Sequence, residues 1–262
     1  MAKIGIFDSG VGGLSVFKEI KKRLPKCSYI YYGDNANCPY GIKGPDFILQ
    51  RSREIAHFLE TEGVDIIVVA CNTATSYAVK TLEVEMKIPV IGTVPGVKPA
   101  AAETKTGVVG VLATFGTLNA PLYNRIRDKW GSNVEVVEHI GQGYVELVES
   151  LDLCSEHAKE VVKQSVEPLV MQGADIIVLG CTHYPFLKDT IEEVANEIKP
   201  TSAPPVTVYD PAPAIARHVE AIIHENGLNV ENKEPSIRLL SSGSDEILKK
   251  LYELTSKELK SN

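Results

Sequence analysis

Two cysteines carry the chemistry this sequence offers. Cys71 closes the run VVAC and is followed by Asn72 and Thr73; Cys181 closes VLGC and is followed by Thr182 and His183. Each stands where a β-branched run stops and a helical pattern begins. If those runs are parallel strands, both thiols lie beyond strand carboxyl ends, where ligands bind α/β sheets and the next helix presents unpaired backbone N–H groups. Aligned peptide dipoles at a helix start favour an anion, so each cysteine is a candidate thiolate near neutral pH. Two such groups on either side of one carbon suit a reaction that removes a proton from one face and returns one to the other, one acting as base and its mate as acid. His183, two residues past Cys181, and Asp8, at the end of the first strand, are placed to relay protons for the neighbouring thiols. A single strand-end cysteine is more often a small buried hydrophobe. The matched pair argues for chemistry.

The match extends beyond the cysteines. Gly63 to Cys71 (GVDIIVVAC) aligns without gaps on Gly173 to Cys181 (GADIIVLGC), 110 residues further on. A fainter echo relates IGIFDSG, from Ile4, to VGVLATFG, from Val109, setting Asp8 and Ser9 against Ala113 and Thr114. The chain reads as two similar halves.

Short β-branched runs alternate with stretches of 3.6-residue period, the pattern of β-α units stacked into parallel sheets. Strands are expected at Ile4 to Phe7, Tyr29 to Tyr32, Ile66 to Ala70, Val90 to Ile91, Val108 to Leu112, Val134 to Val137, Ile176 to Gly180 and Val206 to Tyr209. Helices are expected over FILQRSREIAHFLE and SEHAKEVVKQSVEPLV, with Pro45 in a first turn and Ser155 as a cap. Prolines interrupt both periods in GTVPGVKP and TSAPPVTVYDPAPA, which marks two crossings between halves. The expectation is an α/β fold of two pseudo-symmetric lobes, each a mostly parallel sheet flanked by helices, with the active site in the cleft between them. The first lobe is discontinuous, residues 1–94 and 210–262, and the second is 95–209. A single eight-stranded barrel fits the same alternation; the duplication and the two crossings favour two lobes.

Composition narrows the function classes. With 262 residues, 44% of them hydrophobic, the chain supports a real core rather than disorder. A formal charge of -7 without a basic stripe argues against nucleic acid as a partner. No apolar run is long enough to cross a bilayer, and MAKIGIFDSGVGG lacks the pattern of a secretory signal, so no membrane association and a cytoplasmic location are expected. Five cysteines, without a C-x-x-C or H-x-x-x-H pair, point to reduced thiols rather than disulfides or a metal site. Cys27, Cys38 and Cys154 are read as structural.

The motifs DSGVGGL from Asp8, YYGDNANCPYG from Tyr31, ACNTAT from Ala70, LATFGT from Leu112 and LGCTHYPFL from Leu179, in this order, cover most of the chain. In them it resembles the cofactor-independent glutamate racemases of the aspartate/glutamate racemase superfamily. The resemblance implies catalytic thiols at Cys71 and Cys181, assisting groups at Asp8 and His183, and a loop glutamate at Glu149, with Glu146 the nearby alternative. It implies substrate contacts from Ser9, Pro39, Tyr40, Gly41, Asn72, Thr73, Thr114, Thr117 and Thr182, with Asp34 acting behind the Pro39 turn. It further implies L- and D-glutamate as substrates, no pyridoxal phosphate or other cofactor, a homodimer, and supply of D-glutamate for peptidoglycan synthesis. Two departures fall at the inferred crossings: Val94 replaces an expected glutamate in GTVPG, and Pro211 follows Asp210 where a serine is usual. They bear on the hinge more than on the chemistry. The short stretch before the first strand also argues against activation through an N-terminal extension. Aspartate or a hydantoin as substrate, and a binding module without turnover, are the rival readings.

Overall fold

The structure, a computed structural model, describes residues 1–261. Along the chain run β1 (Lys3–Asp8), α1 (Leu14–Arg23), β2 (Ser28–Gly33), α2 (Pro45–Thr61), β3 (Ile66–Val69), α3 (Asn72–Glu85) and β4 (Val90–Gly92). Next come α4 (Val97–Glu103), β5 (Val108–Ala113), α5 (Phe115–Leu118), α6 (Pro121–Trp130), β6 (Glu135–Ile140), α7 (Tyr144–Glu149), α8 (Glu156–Met171) and β7 (Ile176–Gly180). The chain closes with α9 (Lys188–Ile198), β8 (Thr207–Tyr209), α10 (Ala212–Glu225), β9 (Ile237–Ser241) and α11 (Glu246–Ser261). Two compact units emerge. One comprises Met1–Thr93 with the segment from Ala212 onward, the other Val94–Pro211.

Each unit is built on its own parallel sheet. In the first the strand order is β4-β3-β1-β2-β9, and in the second β6-β5-β7-β8. Every neighbouring pair is parallel. The sheets are therefore α/β, flanked by helices, as the alternation predicts. β3 and β7 are buried along their whole lengths, which explains why IIVV and IIVLG read as unbroken apolar runs rather than alternating ones. The helices packed on the sheets show the complementary stripe. α2 has a proline in its first turn, where the lost N–H has no intrahelical partner anyway, and it buries Ile48, Ser52, Ile55, Ala56 and Leu59. α8 starts under the hydroxyl of Ser155, which accepts the Ala158 N–H at 3.1 Å, and it buries Val162, Val166, Leu169 and Val170. Each such aliphatic side chain contributes roughly 1.5–3 kcal/mol on burial.

The sequence repeat is a structural repeat. β1 pairs β3 with Ile4 opposite Ile66, and β5 pairs β7 with Val109 opposite Ile176. Those are the residues that the two alignments equate. A side chain on Gly5 would meet Val64 at 3.1 Å and Leu59 at 3.3 Å; one on Gly110 would meet Leu169 at 3.2 Å and Ala174 at 3.3 Å. Leu59 and Val64 stand to Leu169 and Ala174 as Cys71 stands to Cys181. The glycine lets the covering helix approach its strand in both units.

Three elements depart from expectation. β6 continues to Ile140, past the apolar run that ends at Val137, because parallel pairing to β5 persists through Ala113 opposite Ile140. β9 has no counterpart among the expected strands: IRLLS is a short, half-exposed edge strand carrying Arg238, so burial imposes no periodicity on it. After Cys181 the chain does not enter an α-helix. It makes a turn and a 3-10 segment, Tyr184–Leu187, before α9 begins at Lys188. Pro185 disfavours the α conformation for Tyr184 and has no N–H to give. Among the described residues no helix is long and apolar enough to cross a membrane.

Candidate active site

In the first unit Cys71 immediately precedes α3 and caps it. Its sulfur accepts the Ala74 N–H at 3.4 Å and lies 3.6 Å from the Ser9 hydroxyl. Only about one twentieth of the residue's surface, 5%, reaches solvent. A backbone N–H and the helix start both favour the thiolate. The surroundings of this sulfur are held by threonines. Thr75 donates to the Val69 carbonyl at 3.0 Å and accepts the Thr93 N–H at 3.0 Å, while Thr93 donates to the Ala70 carbonyl at 2.6 Å. The end of β3, the start of α3 and the exit of β4 are thereby joined. Asp8 ends β1, the strand beside β3; it is fully buried and accepts the Gly10 N–H at 2.9 Å.

Asn72 and Thr73, in the first turn of α3, are buried. The Asn72 Oδ1 has no hydrogen-bond partner. A buried acceptor left open in a site is what a ligand donor would satisfy. The Pro39, Tyr40 and Gly41 turn follows a cis Cys38–Pro39 bond and passes into a 3-10 segment, Tyr40–Ile42. Tyr40 is buried, and its hydroxyl donates to Asp34 at 2.6 Å. Asp34 in turn receives Arg51 through Nε at 2.9 Å and Nη2 at 2.8 Å, and Asn37 at 3.1 Å. Burial by itself would raise the Asp34 carboxyl; Arg51, Tyr40, Ser242 and Asn37 outweigh it and hold the group below the usual carboxylate value. Burial, then the Asp34 carboxylate, pushes the Tyr40 phenol far above its ordinary value, so it stays a donor.

In the second unit Cys181 follows β7 and is also buried. Its sulfur lies 3.9 Å from His183 Nδ1, and the opposite ring nitrogen, Nε2, is 3.0 Å from Glu149 Oε1 at the end of α7. With Nε2–H donating to the Glu149 carboxylate, the Nδ1 lone pair faces sulfur. Thiol, imidazole and carboxylate form a line along which a proton can pass. Glu146 is not the residue that meets His183; Glu149 is. Behind this line Tyr184 is buried, donates to the Gly141 carbonyl at 3.1 Å, and stacks edge-on to Tyr144 at 4.8 Å between ring centres. This ties the turn after Cys181 to the start of α7. Thr114 caps α5, accepting the Thr117 N–H at 3.2 Å and donating to its hydroxyl at 3.0 Å. Thr182 is buried beside Cys181.

The structure thus gathers Asp8, Ser9, Cys71, Asn72 and Thr73 at one sheet's carboxyl edge, and Thr114, Thr117, Cys181, Thr182 and His183 at the other's. The two thiols are not equivalent locally: Cys71 has a helix start behind it, Cys181 an imidazole. None of the five cysteines is joined in a disulfide. Cys27 is buried, and burial raises its thiol to about 11, whereas Cys154 is exposed and packs no core. Arg51, which anchors Asp34, escapes a reading of the sequence. On the α2 pattern it is one of several polar residues between apolar ones, like any solvent-facing arginine.

The Asp/Glu/Hydantoin racemase family model matches residues 4–219. A glutamate racemase of Herpetosiphon aurantiacus is 44% identical over 241 residues, 92% of each chain. The structure is similar to that of a glutamate racemase isoform of Bacillus anthracis, with a TM-score of 0.87 and 33% identity, covering 98% of this chain and 94% of that one. It is also similar to Escherichia coli glutamate racemase, solved in complex with L-glutamate, with a TM-score of 0.85, 30% identity, and coverage of 97% and 95%. A model match over most of the length, relatives at this identity, and a fold shared end to end agree with the site's chemistry: this chain belongs to the Asp/Glu/Hydantoin racemase family.

Proposed function

We propose that this protein is an amino-acid racemase that interconverts L- and D-glutamate by proton transfer at the α-carbon, with Cys71 and Cys181 as the paired acid and base and no pyridoxal phosphate. One thiolate takes the α-proton and becomes a thiol. The other thiol gives its proton to the opposite face and becomes a thiolate, so each turnover exchanges their roles. Asp8 serves the Cys71 side, and His183 with Glu149 serves the Cys181 side. The observation that carries the reading is the repeated placement of a buried cysteine at the carboxyl end of the equivalent strand in each unit, Cys71 after the strand that pairs with the one ending in Asp8, and Cys181 3.9 Å from His183.

The open acceptor of Asn72 suits the substrate ammonium, and the hydroxyls of Ser9, Thr73, Thr114, Thr117 and Thr182 suit its two carboxylates. Pro39, Tyr40 and Gly41, steadied by Asp34, complete the proposed contacts. Glutamate as the substrate rests on the named relatives; a homodimer and supply of D-glutamate for peptidoglycan synthesis are what the motif resemblance to the family implies.

The test is deuterium uptake from D2O at the α-carbon of either enantiomer, with reduced protein and no added cofactor. Both enantiomers should exchange and interconvert. A protein that leaves that hydrogen in place is not a racemase, and one that binds glutamate without exchange is a binding module. Aspartate and a hydantoin, run in parallel, test the substrate.

A further inference from the structure

Glu149 ends α7, a helix of only six residues. So short a helix has no stability of its own, so its end is decided by the turn beyond it. That turn contains Leu151 at φ 61°, the one non-glycine residue with a positive φ among the described residues. The Leu151 N–H donates to the Val148 carbonyl at 3.0 Å, and the Asp152 N–H to the Leu147 carbonyl at 2.9 Å. These paired closures are the Schellman ending, which requires a left-handed residue and ordinarily takes glycine or asparagine there. Leucine brings a Cβ into a conformation that disfavours it. The turn is nonetheless held: the Ser150 hydroxyl donates to the Leu147 carbonyl at 3.0 Å, and the Thr190 hydroxyl of α9 donates to the Leu153 carbonyl at 2.7 Å. The helix thus stops two residues before Leu151, with its last side chain 3.0 Å from His183 Nε2.

We propose that Leu151 is a positioning residue, whose left-handed turn ends α7 on Glu149 and so holds that carboxylate against His183, giving the imidazole beside Cys181 one orientation. The inference rests on the racemase reading and on Glu149 as the partner of His183. It assigns the effect to the backbone of the turn rather than to the leucine side chain. Substitutions that accept the left-handed region should therefore be tolerated, and those that resist it should not.

The experiment compares the full-length wild type with Leu151→Gly, Leu151→Asn and Leu151→Ile, alone and combined with Glu149→Gln, measuring kcat, KM and the pH profile of kcat. Leu151→Gly and Leu151→Asn should keep kcat within about two-fold, because both residues enter the left-handed region readily. Leu151→Ile should lower kcat about ten-fold with little change in KM and should displace a limb of the pH profile, as a misplaced proton-handling group would. In the Glu149→Gln background the isoleucine should add little, since both changes act through one contact. A folded Leu151→Ile protein with wild-type kcat and pH profile overturns the proposal. If isoleucine prevents folding, Leu151→Gly decides: a folded glycine variant with a ten-fold loss shows that the side chain matters and the turn does not. A wild type that does not racemise glutamate removes the functional reading itself; an active wild type with an indifferent Leu151→Ile removes only this inference.

Discussion

Replacing Arg51 by methionine should leave a buried carboxylate without its counter-charge. Asp34 is fully buried, and the Arg51 guanidinium, itself 23% exposed, meets both its oxygens at 2.8 and 2.9 Å. Breaking a buried pair by removing one partner costs about 3–5 kcal/mol. The Tyr40 and Asn37 donors remain in the variant, and the arginine is partly solvated, which places the loss near the lower end, about 3 kcal/mol. For a chain of this size that corresponds to a fall in Tm of roughly 6–12 °C. The pH dependence gives the cause away. In the wild type the Asp34 carboxyl is held below its usual value, so its contribution is complete above the unfolded carboxylate value of about 3.9 and is lost as pH falls through the folded one. In Arg51→Met burial is no longer outweighed by the guanidinium, the carboxyl rises, and a proton relieves the stranded charge. The Tm difference between the two proteins should be largest at neutral pH and should narrow as the buffer is acidified. Arg51→Lys should recover only part of the loss, because an ammonium cannot bridge both oxygens. Thermal unfolding by circular dichroism from pH 7.5 down to 4.5 measures all of this. A Tm difference that stays constant over that range refutes the argument, as does a methionine variant with wild-type Tm.

Two further outcomes concern the thiols and the support of the second sheet. Cys71→Ser and Cys181→Ser should each fold normally but lose about 10²–10⁴-fold in racemisation, since a hydroxyl is a poor substitute for a thiol as acid or base; a substrate with a good β-leaving group should still undergo elimination in one of them. Asp175 accepts the Lys105 N–H at 2.7 Å and the Thr106 hydroxyl at 3.0 Å; burial would raise its carboxyl, but Thr104, Lys105 and Thr106 outweigh it and hold it low. Its stabilising effect is therefore present above the ordinary carboxylate range and lost as pH falls. Asp175→Asn should cost about 1–3 kcal/mol at neutral pH, seen in urea unfolding, with kcat for glutamate unchanged.

Much of the architecture was legible because burial writes itself into sequence. Strands covered on both faces need continuous apolar runs, so β3 and β7 stood out, and a duplication that keeps the same register kept the same letters. The strand ends came with them, and so did Cys71, Cys181 and their polar neighbours, since a parallel sheet offers its ligand edge at the carboxyl ends. Legibility failed where burial imposes no pattern. β9 is a half-exposed edge strand, and its polar residues look like loop. Arg51 has the sequence appearance of a surface residue, and only the fold brings Asp34 to it.

By itself the sequence determined the α/β class, the internal duplication and the two thiols at equivalent strand ends, because each depends on local period and burial. It takes the folded chain to show that Cys71 caps an α-helix while Cys181 leads into a turn and a 3-10 segment, that Glu149 rather than Glu146 meets His183, and that a leucine occupies a left-handed turn behind that glutamate. Such choices turn on distances between side chains far apart in sequence and on single backbone angles. Neither leaves a periodic trace in the order of the residues.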